Sequence, residues 1–308
     1  MPPPTVSVAI PVYNGAPYLE ASLRSVLAQT FRDFELIVVD DRSSDDSVAV
    51  ARRVCAEAAG SIPWRVLTNR RRQGLFGNWN HCLGYSQGKY ILLFHQDDLL
   101  DPGMLTRAHA AFERSPDLGF VYSGYACVDA DGCALPPWAR SPFAGRVTGE
   151  PFLRALLQEN FVCCPTVVVP RAIYEAIGLF DTRFAFSADL EMWFRIAASH
   201  DVYCCPEVGI HYRLHQAQVT ESFRRRNARV NLEYLLAAAV GIGRERRRYP
   251  ALWRSVVRDA LWTIKEEAWH APGDAVWAAR MLAMTCCAPA IPEALRPSRT
   301  LLGSHAGT

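Results

Sequence analysis

Apolar and polar positions alternate in two rhythms along the first part of the chain. Val6-Ser7-Val8-Ala9-Ile10-Pro11-Val12 is a β-rich run bounded by Asn14-Gly15 and predicts a strand. From Pro17 to Gln29 the spacing puts Leu19, Leu23, Val26 and Leu27 on one helical face. Phe34 to Asp40 predicts a second strand, and Ser44 an N-cap for a helix reaching about Ala59. Trp64–Leu67 predicts a third strand, followed by a loop through Arg70–Gly74 and a helix around Asn78–Ser86. Tyr90-Ile91-Leu92-Leu93-Phe94 is an apolar fourth strand that stops at His95-Gln96-Asp97-Asp98. A helix over Pro102–Arg114 and a strand over Leu118–Val128 complete this half.

Strand alternating with helix predicts a doubly wound, mainly parallel sheet. Tyr13-Asn14, Asp40-Asp41 and Asp97-Asp98 each follow a strand, and in such a sheet these ends converge on one ligand-binding edge. Adjacent carboxylates repel each other and are tolerated beside a cation or hydrogen-bond donors. By itself the Asp97-Asp98 pair reads equally as a metal–phosphate site or as a solvated acidic turn. Neither GxGxxG nor GxxxxGK[ST] occurs, which argues against dinucleotide and P-loop sites.

Ala130–Gly149 predicts a long connection, Pro151–Gln158 a helix, Val162–Val169 a strand and Arg171–Ile177 a helix. Ser187–Ala197 reads as a loop turning into a helix with Asp189 in its first turn, where a carboxylate also suits the positive helix end. Val202–Tyr212 predicts another strand, ending at Arg213-Leu214-His215. Beyond Glu221 the pattern is helical, with Leu232, Leu235, Leu236, Trp253, Leu261, Trp262 and Trp269 as core positions. Trp79 and Trp193 are read as core aromatics.

The 308 residues are half hydrophobic, as expected of a globular chain, and the net charge of +2 argues neither for nor against nucleic acid, which is not an expected partner. Arginines cluster at 70–72, at 224–226 with Arg229, and at Arg244 with 246–248; they read as solvated faces or as contacts to phosphate or anionic lipid. Ten cysteines include three adjacent pairs but no zinc spacing, and they predict reduced thiols. No window reaches the ~18 apolar residues of a membrane span. The expected location is the cytoplasm, with peripheral contact at the inner membrane face as an option.

Ile10-Pro11-Val12-Tyr13-Asn14, Gln29-Thr30-Phe31, Phe34 to Asp41 with Ser43, the Asp97-Asp98 pair, Gly178-Leu179-Phe180-Asp181, Ala188-Asp189-Leu190-Glu191-Met192-Trp193-Phe194-Arg195 and Tyr212-Arg213-Leu214-His215 occur in this order. Together they resemble an inverting glycosyltransferase of family 2 with the GT-A fold. The resemblance spans roughly residues 5 to 220. It implies a Rossmann-like, mixed but mainly parallel sheet flanked by helices. Residues 1–130 would form a nucleotide-sugar half, 131–220 an acceptor and catalytic half, and 221–308 a helical extension.

The resemblance also implies roles. Pro11, Tyr13 and Asn14 would line the base and ribose pocket, and Asp40 or Asp41 would accept a hydrogen bond from the base. Arg72 is the choice from its cluster for base or phosphate. Asp97 would hold ribose or metal, and Asp98 would ligate Mn²⁺ or Mg²⁺ with help from His215. Arg213 would meet phosphate, Glu191 would orient the acceptor or face solvent, and Asp189 would be the catalytic base. The donor would be a UDP- or dTDP-linked sugar, and the acceptor a glycan, a lipid-linked glycan or a small molecule. The chain departs from the family pattern at His95, where an acid is usual, and at Ala188, where relatives often have Glu. His95 is expected to be a polar loop residue. The C-terminal helices would complete the acceptor side, form a homodimer or touch a membrane. A non-catalytic sugar-nucleotide-binding subunit would keep Asp40, Asp97 and Asp98 but need no Asp189.

Overall fold

The computed structural model describes residues 3–57, 62–136, 140–216, 218, 227–268 and 270–287. Strand β1 (Val6–Val12) is central and lies parallel to β2 (Phe34–Asp40) on one side and β4 (Tyr90–Leu93) on the other. β3 (Trp64–Thr68) extends the sheet beyond β2, again in parallel. β9 (Val168–Pro170) pairs antiparallel with both β4 and β6 (Phe120–Val128). The two reversals leave β6 running in the direction of β4. β10 (Val202–Arg213) is parallel to β6. The carboxyl ends of β1, β2, β4, β6 and β10 therefore share one edge. Short antiparallel strands finish the sheet: β5 (Leu99–Leu100) and β8 (Gly145–Val147) pair with β10, and β7 (Ala134–Leu135) pairs with β6.

Period-two alternation sends β1 side chains to two cores. Val6, Val8, Ile10 and Val12 pack with Leu19, Leu23 and Val26 of α1 (Ala16–Leu27) and with Leu105 and Phe112 of α4 (Met104–Arg114). Ala9 faces the other layer, with Trp79 and Leu83 of α3 (Leu75–Tyr85) and Trp193 and Phe194 of α7 (Ala188–Ala197). Trp79 and Trp193 are core residues, 4% and 1% exposed. The remaining helices of the α/β part are α2 (Ser47–Glu57), α5 (Gly149–Gln158) and α6 (Arg171–Ile177).

Three local expectations change. Ser44 does not cap α2: its N–H and hydroxyl donate to Asn14 Oδ1, and Asp45 takes the Ser47 N–H at 3.1 Å instead. The apolar run Val162–Val169 is not one strand. Pro165 has no N–H to offer a ladder, so Cys164–Thr166 forms a 3₁₀ turn and only Val168–Pro170 pairs. Among the C-terminal helices α8 (Asn227–Gly243), α9 (Pro250–Glu267) and α10 (Pro272–Cys287), Leu232 and Leu236 are buried. Leu261 and Trp262 are exposed, at 54% and 65%, because α9 packs on its Leu252–Val256–Ala260 face. Trp269 and the 224–226 arginines lie outside the described residues, as does the side chain of Arg229. No described helix is long and apolar enough to cross a membrane.

Helix α8 shares the core of α7. A Cβ on Gly241 would stand 2.6 Å from Phe194 Cβ and 2.8 Å from the Glu191 carbonyl oxygen, so the two helices meet at a glycine.

Candidate active site

The tip of β4 joins three distant segments. Gln96 clamps the backbone of Tyr13, accepting its N–H at 3.0 Å and donating to its carbonyl at 3.2 Å. A Cβ on Gly15 would fall 2.3 Å from Gln96 Oε1, so a side chain there would push Gln96 off this clamp. Asp98 is fully buried, and its Oδ1 accepts the Arg213 N–H at 2.9 Å. Its Oδ2 has no hydrogen-bond partner among the described residues. Burial, then the neighbouring Asp97 charge, push the Asp98 carboxyl well above the usual carboxylate range. His95 Nδ1 stands 3.7 Å from that oxygen, and its Nε2 is also unpartnered. Burial lowers the His95 pKa, which favours the neutral imidazole with a free lone pair.

His95, Asp97 and Asp98 each present a ligand atom within 4.8 Å of the others. A buried carboxylate oxygen without a donor is costly. A divalent cation would satisfy it, and the two carboxylates suit a hard ion. The donor set therefore fits Mn²⁺ or Mg²⁺. His95, expected in the loop, belongs to the cluster.

The end of β10 closes over this tip. His215 Nε2 lies 2.9 Å from Asp97 Oδ2, and its ring packs 4.5 Å from that of Tyr18. Arg213 Nε donates to the Asp97 carbonyl at 2.9 Å and Nη1 to the Ala130 carbonyl at 2.8 Å. The Arg213 guanidinium thus braces the acidic loop from behind, beyond the phosphate role expected of it.

Asp40 and Asp41 both shape backbone. Asp40 accepts N–H groups from Arg42 and Ser43. Asp41 accepts the amide of Asn69 at 2.8 Å and the N–H groups of Gln73 and Gly74 at 2.7 and 2.8 Å. A carboxylate has about four acceptor positions, so Asp41 is largely committed to the 69–74 loop. That loop carries Arg72 to 3.9 Å from the centre of the Tyr13 ring, a cation–π contact. Asn14, at φ +49°, is held by Ser43 and Ser44. Pro11 is half-buried in β1. The structure thus brings Tyr13, Asn14, Asp40, Asp41 and Arg72 into one loop system beside the acidic tip.

Asp189 opens α7, half-buried, with its Oδ1 taking the Leu190 N–H at 2.8 Å. Burial raises its carboxyl to about 6, against a smaller lowering by backbone N–H groups. The Cys163 and Cys164 thiols are pushed up by burial, and each feels the charges of both Asp98 and Asp189. Cys163 and the 3₁₀ turn that follows it therefore lie near both the acidic tip and Asp189. Sequence reasoning singled out neither these cysteines nor Gln96 as site residues. Their only signal was proximity in sequence to a proline or to the acidic pair.

Glu191 is not at this cleft. Two residues on from Asp189 it points elsewhere on the helix, is 1% exposed, and pairs with Arg195 at 2.7 Å. Arg195 in turn donates to the Ile177 and Leu179 carbonyls. Burial pushes the Glu191 carboxyl up, and Arg195 offsets this in part. Glu191→Ala leaves a buried cation uncompensated and is expected to cost about 3–5 kcal/mol. Urea denaturation measures it; a loss under 1 kcal/mol would remove the pair from the core's requirements.

A mainly parallel sheet with loops, acids and imidazoles gathered at its carboxyl edge is an architecture of the GT-A class. The sequence pattern described as glycosyl transferase family 2 matches residues 7–176, more than half of the chain, and the protein belongs to that family. An uncharacterized glycosyltransferase of Rickettsia prowazekii is 29% identical over 71% of this chain and 67% of its own length. Two solved structures share the fold. S. aureus TarS in complex with UDP-GlcNAc has a TM-score of 0.60 at 15% identity, covering 92% of this chain and 89% of that one. Mannosyltransferase PcManGT of Pyrobaculum calidifontis, in complex with GDP-Man and Mn²⁺, has a TM-score of 0.60 at 19% identity, covering 95% and 78%. The chain is a glycosyltransferase.

Proposed function

We propose that this glycosyltransferase moves a sugar from a UDP- or dTDP-linked donor to an acceptor hydroxyl in one inverting displacement that depends on a divalent cation. The observation that carries the reading is the unpartnered, buried Asp98 oxygen grouped with Asp97 and His95. These three residues would hold Mn²⁺ or Mg²⁺, with His215 supporting Asp97 from the β10 side. When bound, the ion supplies positive charge for the departing diphosphate.

The chain's own residues do the rest. The Tyr13–Arg72 stack and the Asn14, Asp40 and Asp41 loops form the wall for base and ribose. Asp189, across the Cys163–Cys164 turn, accepts the proton of the acceptor hydroxyl. The acceptor oxygen then bonds to the anomeric carbon. The bond from that carbon to the diphosphate breaks, and the nucleoside diphosphate leaves with the electron pair. No covalent enzyme intermediate is needed. The acceptor is a glycan, a lipid-linked glycan or a small molecule. TarS bears on the UDP reading and PcManGT on the cation; neither fixes the base for this chain.

A thermal-shift series with UDP-glucose, UDP-N-acetylglucosamine, dTDP-glucose and GDP-mannose, with and without Mn²⁺, tests this. Binding to the folded state at 100 times Kd adds about 2.7 kcal/mol of apparent stability. Cation-dependent stabilisation by a uridine or thymidine donor is expected. A response to GDP-mannose alone would overturn the base assignment, and equal shifts without metal would overturn the cation site.

A further inference from the structure

Glu233 lies in the middle of α8, 0% exposed, and its carboxylate holds one short stretch of backbone. Oε1 accepts the Ala185 N–H at 3.2 Å, and Oε2 accepts the N–H groups of Phe186 and Ser187 at 2.8 and 3.1 Å. Three consecutive amides around one anion form a nest. Ser187 is the N-cap of α7, yet its own side chain makes no capping bond. The carboxylate that holds the turn into α7 therefore comes from another helix, 46 residues along the chain from Ser187, and adds to the acids of the first turn of α7 itself. Asp189 is the second residue of α7. Gly241, two turns further along α8, brings the same two helices into backbone contact.

We propose that Glu233 is a positioning residue for Asp189, through which the C-terminal helices set the geometry of the transfer site. The inference rests on the reading of Asp189 as the base. Without the carboxylate, three buried N–H groups lose their acceptor and the turn before Asp189 must find another conformation. A reactive group displaced by about 1 Å can lose on the order of 10²-fold in rate. The Glu233 charge also helps raise the Asp189 carboxyl, after burial. Among the described residues the Cys163 and Cys164 thiols also feel the Asp189 charge, while the Arg183–Asp181 pair of the preceding loop and the Glu191–Arg195 pair on its own helix are each paired internally.

The test uses the full chain, Mn²⁺ and whichever of UDP-glucose, UDP-N-acetylglucosamine, dTDP-glucose or GDP-mannose stabilises it most. Release of nucleoside diphosphate is followed with water as the acceptor. Glu233→Gln keeps the shape and one acceptor oxygen but removes the charge; Glu233→Asp keeps the charge but shortens the reach. Both are expected to lose roughly 10²-fold in kcat while donor binding stays within about twofold. The acid limb of kcat/KM should move to lower pH in Glu233→Gln only. Asp189→Asn is measured alongside. If Asp189→Asn turns over normally, the base assignment fails first. If it is inactive while both Glu233 variants keep wild-type kcat and pH profile, only the present inference is overturned. A Glu233→Gln protein that does not fold would likewise overturn it, by making Glu233 a stability residue rather than a positioning one.

Discussion

Asp189→Asn is expected to lower sugar transfer by roughly 10²–10⁴-fold while leaving donor binding in place, because general-base work contributes on that scale. The amide keeps the size and the hydrogen bond to Leu190 but cannot take a proton. The pH profile carries the second half of this prediction. Only the ionised carboxylate accepts a proton, and burial moves its pKa from 3.8 to about 6. Wild-type kcat/KM should therefore be flat above about pH 6 and fall tenfold per unit below it. An unshifted carboxylate would place that limb near 3.8. Equal transfer by both proteins across this range would remove Asp189 as the base.

Asp98→Asn should separate binding from folding in opposite directions. The donor shift that requires Mn²⁺ is expected to vanish, since the buried ligand oxygen becomes a neutral amide. The metal-free variant is expected to be more stable than the parent at neutral pH, by on the order of 1–3 kcal/mol. The sign follows from the raised carboxyl of Asp98 in the folded chain. Its contribution to stability is present below the unfolded pKa and is lost as pH rises through the folded one. At neutral pH the unfolded chain carries the charge freely, whereas the folded chain must bury it beside Asp97 or bind a proton to remove it, and either costs stability. Melting curves of parent and variant without metal, from pH 4 to 8, should converge toward the acid end. A variant less stable at pH 7.5 would mean that Asp98 is held for folding rather than for a cation.

The stability and binding consequences share one cause. The tip of β4 is assembled under repulsion, with Asp97 and Asp98 adjacent and one Asp98 oxygen without a donor among the described residues. Such local cost persists where surrounding structure holds it, here Gln96 on Tyr13 and Arg213 on the Asp97 carbonyl. His215 reaches the same loop from the end of β10. The α8–α7 contact extends this logic to the C-terminal helices, which support the start of the helix that carries Asp189.

Much of this was written in local pattern. Period-two runs and helical stripes marked β1, β2, α6 and β10 nearly to the residue, because burial on one or both faces leaves little choice of period. The ordered motifs from Pro11 to His215 marked the family, and the strand rhythm placed Asn14, Asp41 and Asp97 near one edge, since strand ends in a parallel sheet must share it. Pro165 decided the 162–169 segment against the apolar pattern, through a missing N–H that hydrophobicity does not register. Leu261 and Trp262 misled for a related reason: amphipathic spacing shows that a helix has an apolar side, but the partner helix chooses which side is covered.

The sequence by itself therefore determined the strand–helix rhythm, the family and the acids at the sheet edge. Tertiary structure decided which of those groups have free atoms. Asp41 and Arg213 are bound into loops, Glu191 is sunk in a core ion pair, and Asp98 keeps one oxygen without a donor. Hydrogen-bond saturation depends on backbone amides brought in from 32 to 115 residues away, and no linear pattern encodes those meetings.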